Sequence, residues 1–423
     1  ASAQPVPPVA PPPRRWRLAH VLLAPHRLGF FLATLNLIGA SLWWIAVLAQ
    51  RVGLLPVWPW ALSPTLGHAS VMVWGFMPLY FAGFLYTAGP KWLAVPAPQA
   101  RQLLGPLLIY TLAWPLFLIG ASLFQVLAVL ALALAAAGWA ALTVRFWRLI
   151  VRSPVPDRVH AQAVGVALAL GVAALAAEAL ALAVGDAGLA QRFVLAGLWA
   201  CIVPVFVVVA HRMLPFFTSS ALPFIEAWRP FWVLWLMLGA AALELAALWF
   251  EAEGALPWGV WMTLAVLEGA IGAVLVWLAV DWGLVQSLKV RLLAMLHLGF
   301  VWLGLAFLLA GLSRGLQLVL GAPVLPLGAL HALTMGCLGS LILAMVTRVS
   351  AGHSGRALVA DDRVWALFWL LQLAVLLRLW AALPLATGWA LLGAAALWVL
   401  VMIVWGARHV RWYGQARADG RAG

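Results

Sequence analysis

Two histidines in the sequence are each followed four residues later by a methionine, His68 by Met72 and His331 by Met335. Residues four apart share one face of a helix, so each pair offers an imidazole nitrogen and a thioether sulfur on the same side. Two such helices facing each other would suit copper(I), or haem iron held by two imidazoles or by histidine and methionine. The alternative is that both are core histidines with ordinary hydrogen bonds.

A second set of histidines and arginines lies towards the other end of the apolar runs. It consists of His211, Arg212, His297, Arg348, His353 and Arg356. Such a group could be an anion-binding patch, or it could hold haem carboxylates through arginine with imidazole on the iron. The alternative for each arginine is the ordinary excess of positive charge in cytoplasmic loops. For His297, which has apolar neighbours on both sides, that alternative carries less weight.

Three glutamates, Glu178, Glu244 and Glu268, fall inside long apolar runs. A charged carboxyl in hydrocarbon is costly, so these residues are functional candidates, and we predict a proton relay. The alternative is a protonated carboxyl that bonds to a neighbouring helix. Arg378, which also lies within an apolar run, is the predicted partner of one of them.

Long apolar runs must position all of these side chains. The chain has 423 residues, of which 66% are hydrophobic and 9% charged, a composition foreign to soluble domains. Runs long enough to cross a bilayer cover approximately 28–50, 66–90, 103–121, 123–147, 159–184, 192–213, 230–250, 256–281, 291–312, 326–347, 363–382 and 385–407. We predict an all-α polytopic membrane protein with twelve transmembrane helices.

The distribution of lysine and arginine supports this count. If both termini are inside, 21 of the 25 basic residues fall in inside segments, which predicts cytoplasmic termini. The net charge of +13 then reflects topology and contact with anionic lipid headgroups, and nucleic acid is not an expected partner. The only cysteines, Cys201 and Cys337, lie in helices, which excludes a disulfide framework.

Three segments organise the chain. Residues 1–27 form a proline-rich and basic cytoplasmic tail, of which 1–13 are expected to be disordered, and 28–410 form the transmembrane domain. Residues 411–423 form a second cytoplasmic tail, polar and mobile from 415 onwards. Small residues at Gly75, Gly83, Gly336 and Gly339 would let two helices approach either a neighbour or a flat ligand closely.

Four stretches together resemble one known family: "GFLYTAGPKW", "HRMLPFFT", "LHLGFVWLGL" and "HALTMGCLGSLILAMVTRVSAGHSGR". The chain is identified as resembling the NnrS family, twelve-helix proteins of the bacterial inner membrane that are tied to nitric-oxide stress. The resemblance implies haem, of b type, and copper as a second metal. It assigns family positions to His68, His297, His331, His353, Arg212, Arg348 and Arg356.

The sequence also departs from the family pattern. The second helix of the family usually reads like His-Ala-His-Glu-Met, whereas this chain has "HASVM", with Ser70 and Val71 at the central positions. His211 stands where glycine is common, and Met335 where a β-branched residue is frequent. A looser architectural likeness links the chain to haem–copper oxidases, in which histidines of helices 2 and 10 hold a low-spin haem.

Three functions follow as hypotheses. The first is a haem and copper membrane oxidoreductase of nitrosative-stress protection and denitrification, which binds or reduces nitric oxide with an unknown electron donor. In it His68 and His331 hold iron, with Met72 and Met335 as alternates, while His211, His297 and His353 form a second metal site. The second is a transporter of copper or a small anion. The third is a protector or assembly factor for iron cofactors that does not turn over. The oligomeric state is open in all three.

Overall fold

The computed structural model describes residues 15–252 and 257–420, so the predicted disorder of residues 1–13 lies outside the described residues. Within these described ranges, twelve helices are long and apolar enough to cross a membrane. They are α1 Pro25–Arg51, α2 Pro64–Leu93, α3 Ala100–Leu123, α4 Gln125–Arg152, α5 Val159–Ala183, α6 Ala187–Ala221, α7 Phe231–Glu251, α8 Trp258–Asp281, α9 Arg291–Leu320, α10 Gly328–His353, α11 Asp362–Trp380 and α12 Gly388–Tyr413.

The predicted fold class and helix count are confirmed, and every predicted run corresponds to one helix. Several helices extend beyond their apolar runs. The helix α9 continues to Leu320 rather than ending at residue 312, which brings Arg314 into the helix. Polar residues that hydropathy assigns to loops therefore lie on helical turns. We call the end of the bundle that carries most basic residues the basic end, and the other the distal end.

The helix α2 is broken between Trp74 and Met77, because Pro78 has no N–H to donate to the Trp74 carbonyl. The Tyr110 hydroxyl donates to that carbonyl at 2.5 Å, and the Asn36 amide donates to the Gly75 carbonyl at 2.8 Å. A break in a membrane helix is tolerated when neighbours satisfy the freed carbonyls in this way. Side chains of α1 and α3 thus fix the half of α2 that carries the first candidate histidine.

Two helices contain π-helical segments, Leu198–Ile202 in α6 and Ala332–Gly339 in α10. The second segment starts immediately after His331 and includes Met335. Short π segments inside α-helices occur frequently at functional sites. The prediction that His331 and Met335 share one helix face assumed the spacing of an α-helix. The residues between them are instead in wider π-helical turns.

Close helix packing explains the small residues noted in the sequence. A Cβ atom at Gly83 would lie 2.7 Å from the Phe30 ring, and one at Gly336 would lie 2.7 Å from the Trp302 ring. At Gly339 the nearest atoms belong to the Trp398 ring, at 3.1 Å. These glycines accommodate aromatic rings of neighbouring helices. The structure therefore fits close approach of a neighbouring helix, the first of the two possibilities that the sequence offers.

The C-terminal segment packs against the end of α10. The backbone N–H of Ala418 donates to the Ser354 carbonyl at 2.7 Å, and Arg417 donates to the His353 carbonyl at 3.0 Å. Gln415 accepts a hydrogen bond from Arg27 through its backbone carbonyl, at 2.8 Å. The described part of the tail thus closes over the basic end next to the candidate histidine of α10.

Candidate functional site

The first candidate site lies at the distal end, where His68 of α2 and His331 of α10 each lie about one turn inside their helix. Arg378 of α11 and His331 are both close enough to His68 to act on it electrostatically. The sequence prediction that α2 and α10 bring these two imidazoles to the same end of the bundle therefore agrees with the structure.

The His68 ring stacks on the Trp44 ring, with centroids 3.8 Å apart and planes 19° apart. Its Nδ1 atom is buried and has no hydrogen-bond partner among the described residues. A buried polar nitrogen without a partner is rare because it loses its bond to water. The geometry therefore leaves this nitrogen available to a ligand.

The ring of His331 is oriented by its own helix. Its Nδ1 donates to the Leu327 carbonyl at 2.9 Å, so in the neutral ring the Nε2 carries the lone pair. A carbonyl on one ring nitrogen commonly fixes the tautomer of a histidine that binds metal through the other. Met72 and Met335, which follow these histidines by four residues in the sequence, are half-buried and pack against the hydrophobic core.

The second candidate region is a cavity of about 590 Å³ at the basic end, between α2, α6, α10 and the connection that follows α6. Its wall contains Arg212, Arg348 and His353, three of the residues that the resemblance assigns. Lys91 and Arg229 line it as well. The structure therefore brings the arginines of α6 and α10 together with one histidine.

His353 lies beside a second imidazole, that of His26. Its Nδ1 donates to the Val349 carbonyl at 3.0 Å, and its ring centroid lies 4.6 Å from that of His26. His26 is buried, and its Nδ1 has no partner among the described residues. This second imidazole comes from the start of α1, and nothing in its sequence surroundings separates it from other interfacial histidines.

The remaining histidines of the predicted second metal site make separate contacts. His297 Nε2 lies 2.9 Å from the Thr218 hydroxyl oxygen. His211 Nε2 donates to the Pro230 carbonyl at 3.1 Å, so its Nδ1 accepts from His160 Nε2 at 2.9 Å. Throughout residues 15–252 and 257–420, no three histidine, cysteine or acidic side chains form a group that could hold a metal ion.

Arg356 lies away from the cavity wall. Its guanidinium lies 4.5 Å from the Trp412 ring centroid and donates to the Gln415 side chain at 2.9 Å. The three arginines that the resemblance groups together are thus divided. Two line the cavity, and Arg356 links the end of α10 to α12 and the C-terminal segment.

The buried glutamates fall into two places. Glu178 of α5 is 1% exposed, and its Oε1 lies 2.6 Å from the Ser70 hydroxyl oxygen. That hydroxyl is also 3.0 Å from the Leu66 carbonyl oxygen, although it has only one proton to donate. A protonated Glu178 would satisfy both contacts, which corresponds to the alternative of a neutral carboxyl bonded to a neighbouring helix.

Glu244 and Glu268 share one cation, Arg314 of α9. The Arg314 Nε donates to Glu268 Oε1 at 2.6 Å, Nη2 lies 3.7 Å from Glu244 Oε2, and Nη1 contacts Glu251. The prediction that Arg378 pairs with one of the three predicted glutamates is wrong. Arg314 takes that role because α9 continues past the predicted end of its apolar run.

The comparison with known families decides the classification. A sequence profile of the family described as NnrS protein matches residues 20–417 of the chain. The chain belongs to the NnrS family. No curated protein matches it significantly. The match spans all twelve helices, so the NnrS resemblance seen in four short stretches is confirmed for nearly the whole chain.

Membership in the NnrS family points to a role in the response to nitric oxide. The hydrogen bond between Ser70 and Glu178 involves a position at which this chain departs from the family pattern, because Ser70 stands where that pattern has its second histidine. In this NnrS chain the position faces the α5 carboxyl of Glu178.

Proposed function

We propose that this NnrS protein binds haem at the distal end through His68 and His331 and binds or reduces nitric oxide in the bacterial inner membrane. The observation that carries the proposal is the buried Nδ1 of His68, which has no partner among the described residues and lies in electrostatic range of His331. Imidazole nitrogens are ligands that haem iron takes in proteins, so these two side chains are the ones that would hold it.

The donor set at the distal end fits such a group. His68 is held by ring stacking on Trp44, and its Nδ1 has no hydrogen-bond partner among the described residues. His331 is held by its Nδ1 bond to the Leu327 carbonyl, which leaves Nε2 for a ligand. Met72 and Met335 add two soft sulfur atoms one turn further along, which suits copper(I) as the alternative metal. In the predicted second site both ring nitrogens of His211 are bonded. His297 is bonded to Thr218 through Nε2, and its buried Nδ1 has no partner among the described residues.

Haem held by only one of these imidazoles would supply an iron that can take nitric oxide as a ligand, whereas haem held by both would supply electron transfer. Joining two nitric oxide molecules to nitrous oxide and water consumes two electrons and two protons, so the chain must deliver protons through a low-dielectric interior. Glu178, Glu244 and Glu268 are the candidate carriers, since each keeps one buried carboxyl oxygen without a partner among the described residues. The electron donor is unknown.

The experiment that tests this proposal is absorption and metal analysis of protein purified after expression with added haem. We expect a Soret band in the wild type that His68→Ala or His331→Ala removes. His20→Ala is the matched control, because His20 bonds to the Gly414 carbonyl at the basic end. Full haem content in both distal variants would contradict the assignment.

A nitric oxide electrode separates reduction from binding. Consumption of nitric oxide with an artificial electron donor supports an oxidoreductase, whereas haem binding without consumption supports a protector of iron cofactors. Copper flux into proteoliposomes in the absence of haem would favour a transporter instead.

A further inference from the structure

The cavity at the basic end has an unusual charge balance for a site inside a membrane protein. Its wall includes Lys91, Arg212, Arg229 and Arg348. Arg417 of the C-terminal segment also lines it, but this cation is already paired with Asp419 at 2.6 Å. The described residues that line it include no aspartate or glutamate. Like charges at close range repel one another, so a bound anion would stabilise this arrangement.

The two arginines from α6 and α10 lie against aromatic rings. The guanidinium of Arg348 lies 4.0 Å from the Phe217 ring centroid, and that of Arg212 lies 4.9 Å from the Trp92 centroid. Asp157 acts on Arg212 electrostatically but makes no ion pair with it. These contacts fix the planes of both guanidiniums and leave their edges, which carry the N–H groups, for another partner.

Neither Arg212 nor Arg348 donates a hydrogen bond to any residue of 15–252 or 257–420, although both are half-buried. A guanidinium has five N–H donors, arranged in a fork that matches the oxygens of a phosphate or carboxylate. By contrast, Arg314 at the distal end contacts three carboxylates. The cavity therefore has donors without acceptors.

We propose that this cavity binds a phosphate group, held by Arg212 and Arg348 with support from Lys91 and Arg229. Four cations around one space favour a multiply charged oxyanion over a halide, and the volume is within the range of small-molecule sites. The phosphate can come from free inorganic phosphate or from the headgroup of an anionic phospholipid.

Both sources fit the surroundings of the cavity. An apolar crevice of about 60 Å³ adjoins it through Phe84, Met213 and Val349, which line both spaces. An acyl chain could follow this apolar wall while the headgroup stays among the cations. Free phosphate would reach the same cations from the predicted cytoplasmic side.

The test begins with calorimetric titration of inorganic phosphate into purified protein in neutral detergent at constant ionic strength. We expect saturable binding in the wild type, weakened roughly tenfold or more in Arg212→Gln and Arg348→Gln, because each removes a charge-assisted hydrogen bond. Arg229→Gln, in an exposed connection, gives a variant whose folding is not at risk. Arg101→Gln is the control, an exposed arginine of the same end that does not line the cavity.

The lipid arm uses mass spectrometry of the same preparations and of protein in nanodiscs of phosphatidylcholine with or without phosphatidylglycerol. A phospholipid source predicts an anionic lipid that stays bound to the wild type, is lost in Arg348→Gln, and blocks phosphate until it is removed. Equal binding of phosphate and lipid by wild type and by both cavity variants would overturn the proposal. So would loss of haem from Arg348→Gln without any binding of phosphate or lipid by the wild type.

Discussion

Replacing Arg314 by methionine removes the cation that three glutamates of α7 and α8 share. We expect this change to lower the free energy of unfolding by about 3–5 kcal/mol, the range for breaking a buried ion pair by removing one partner. The cost arises because the carboxylates stay buried without a counterion. Methionine keeps the apolar length of the side chain, so the loss reports on charge rather than on packing.

The exposure of each carboxylate sets the magnitude. The side chain of Glu268 is 0% exposed and that of Glu244 is 10% exposed, while Arg314 itself is 14% exposed. The side chain of Glu251 is 32% exposed, so its ion pair is more strongly screened and contributes less to the expected loss of stability. The hydrogen bond of 2.6 Å to Glu268 is thus the main part of the expected loss. The three pairs do not add up to three times that value, because one cation serves them all.

The measurement is reversible unfolding in mixed micelles, followed by circular dichroism. Arg192→Met is the matched control, since it makes the same change at the distal end and Arg192 forms no ion pair with the described residues. We expect that control to stay within about 0.5 kcal/mol of the wild type. Combining Arg314→Met with Glu268→Met should restore part of the stability, because the orphaned carboxylate is then absent as well. An Arg314→Met protein as stable as the control would refute this reasoning.

Two further predictions concern packing and pH. Gly83→Ala should destabilise the protein by about 1–3 kcal/mol, since its Cβ would lie 2.7 Å from the Phe30 ring, whereas Gly105→Ala, with nothing within 4 Å, should be neutral or slightly stabilising; thermal unfolding of the two variants compares them. Burial raises the pKa of Asp361, but the first-turn N–H of α11 and the Arg408 guanidinium outweigh it, so the pKa lies below its usual range. The stabilisation by Asp361 is therefore complete above the ordinary carboxyl pKa and is lost as the pH falls through its lower folded value. Asp361→Asn should reduce the acid dependence of unfolding, and an unchanged pH profile would contradict this.

Hydropathy and the alternation of basic loops were sufficient to predict the fold. Each helix of a membrane bundle must be apolar over a length set by the bilayer, so a short stretch of sequence is sufficient to predict it. The ends are less well determined, because polar residues continue a helix once the chain leaves hydrocarbon. The apolar run that ends at residue 312 therefore does not include Arg314, and its ion pair with Glu268 cannot be predicted from hydropathy.

The site was predictable where it depends on topology alone. Two helices that run in the same direction place His68 and His331 at the same end, whichever helices lie between them. The contacts of His211 depend instead on which face of α6 packs against α5, and sequence spacing carries no information about that. A signal was available for His160, which lies on the neighbouring helix at the same end, and the structure places it 2.9 Å from His211.

The helices α2 and α10 each run from a distal histidine to the basic cavity, about 35 Å from His68 to Lys91 and about 33 Å from His331 to His353. With the orientation predicted by the basic loops, the two candidate sites open to opposite compartments. A ligand in the cytoplasm would then set the occupancy of the cavity without competing for space with a gas that arrives from the periplasmic side or through the lipid. The same two helices would connect occupancy of the basic cavity by a cytoplasmic ligand with the chemistry at the distal histidines.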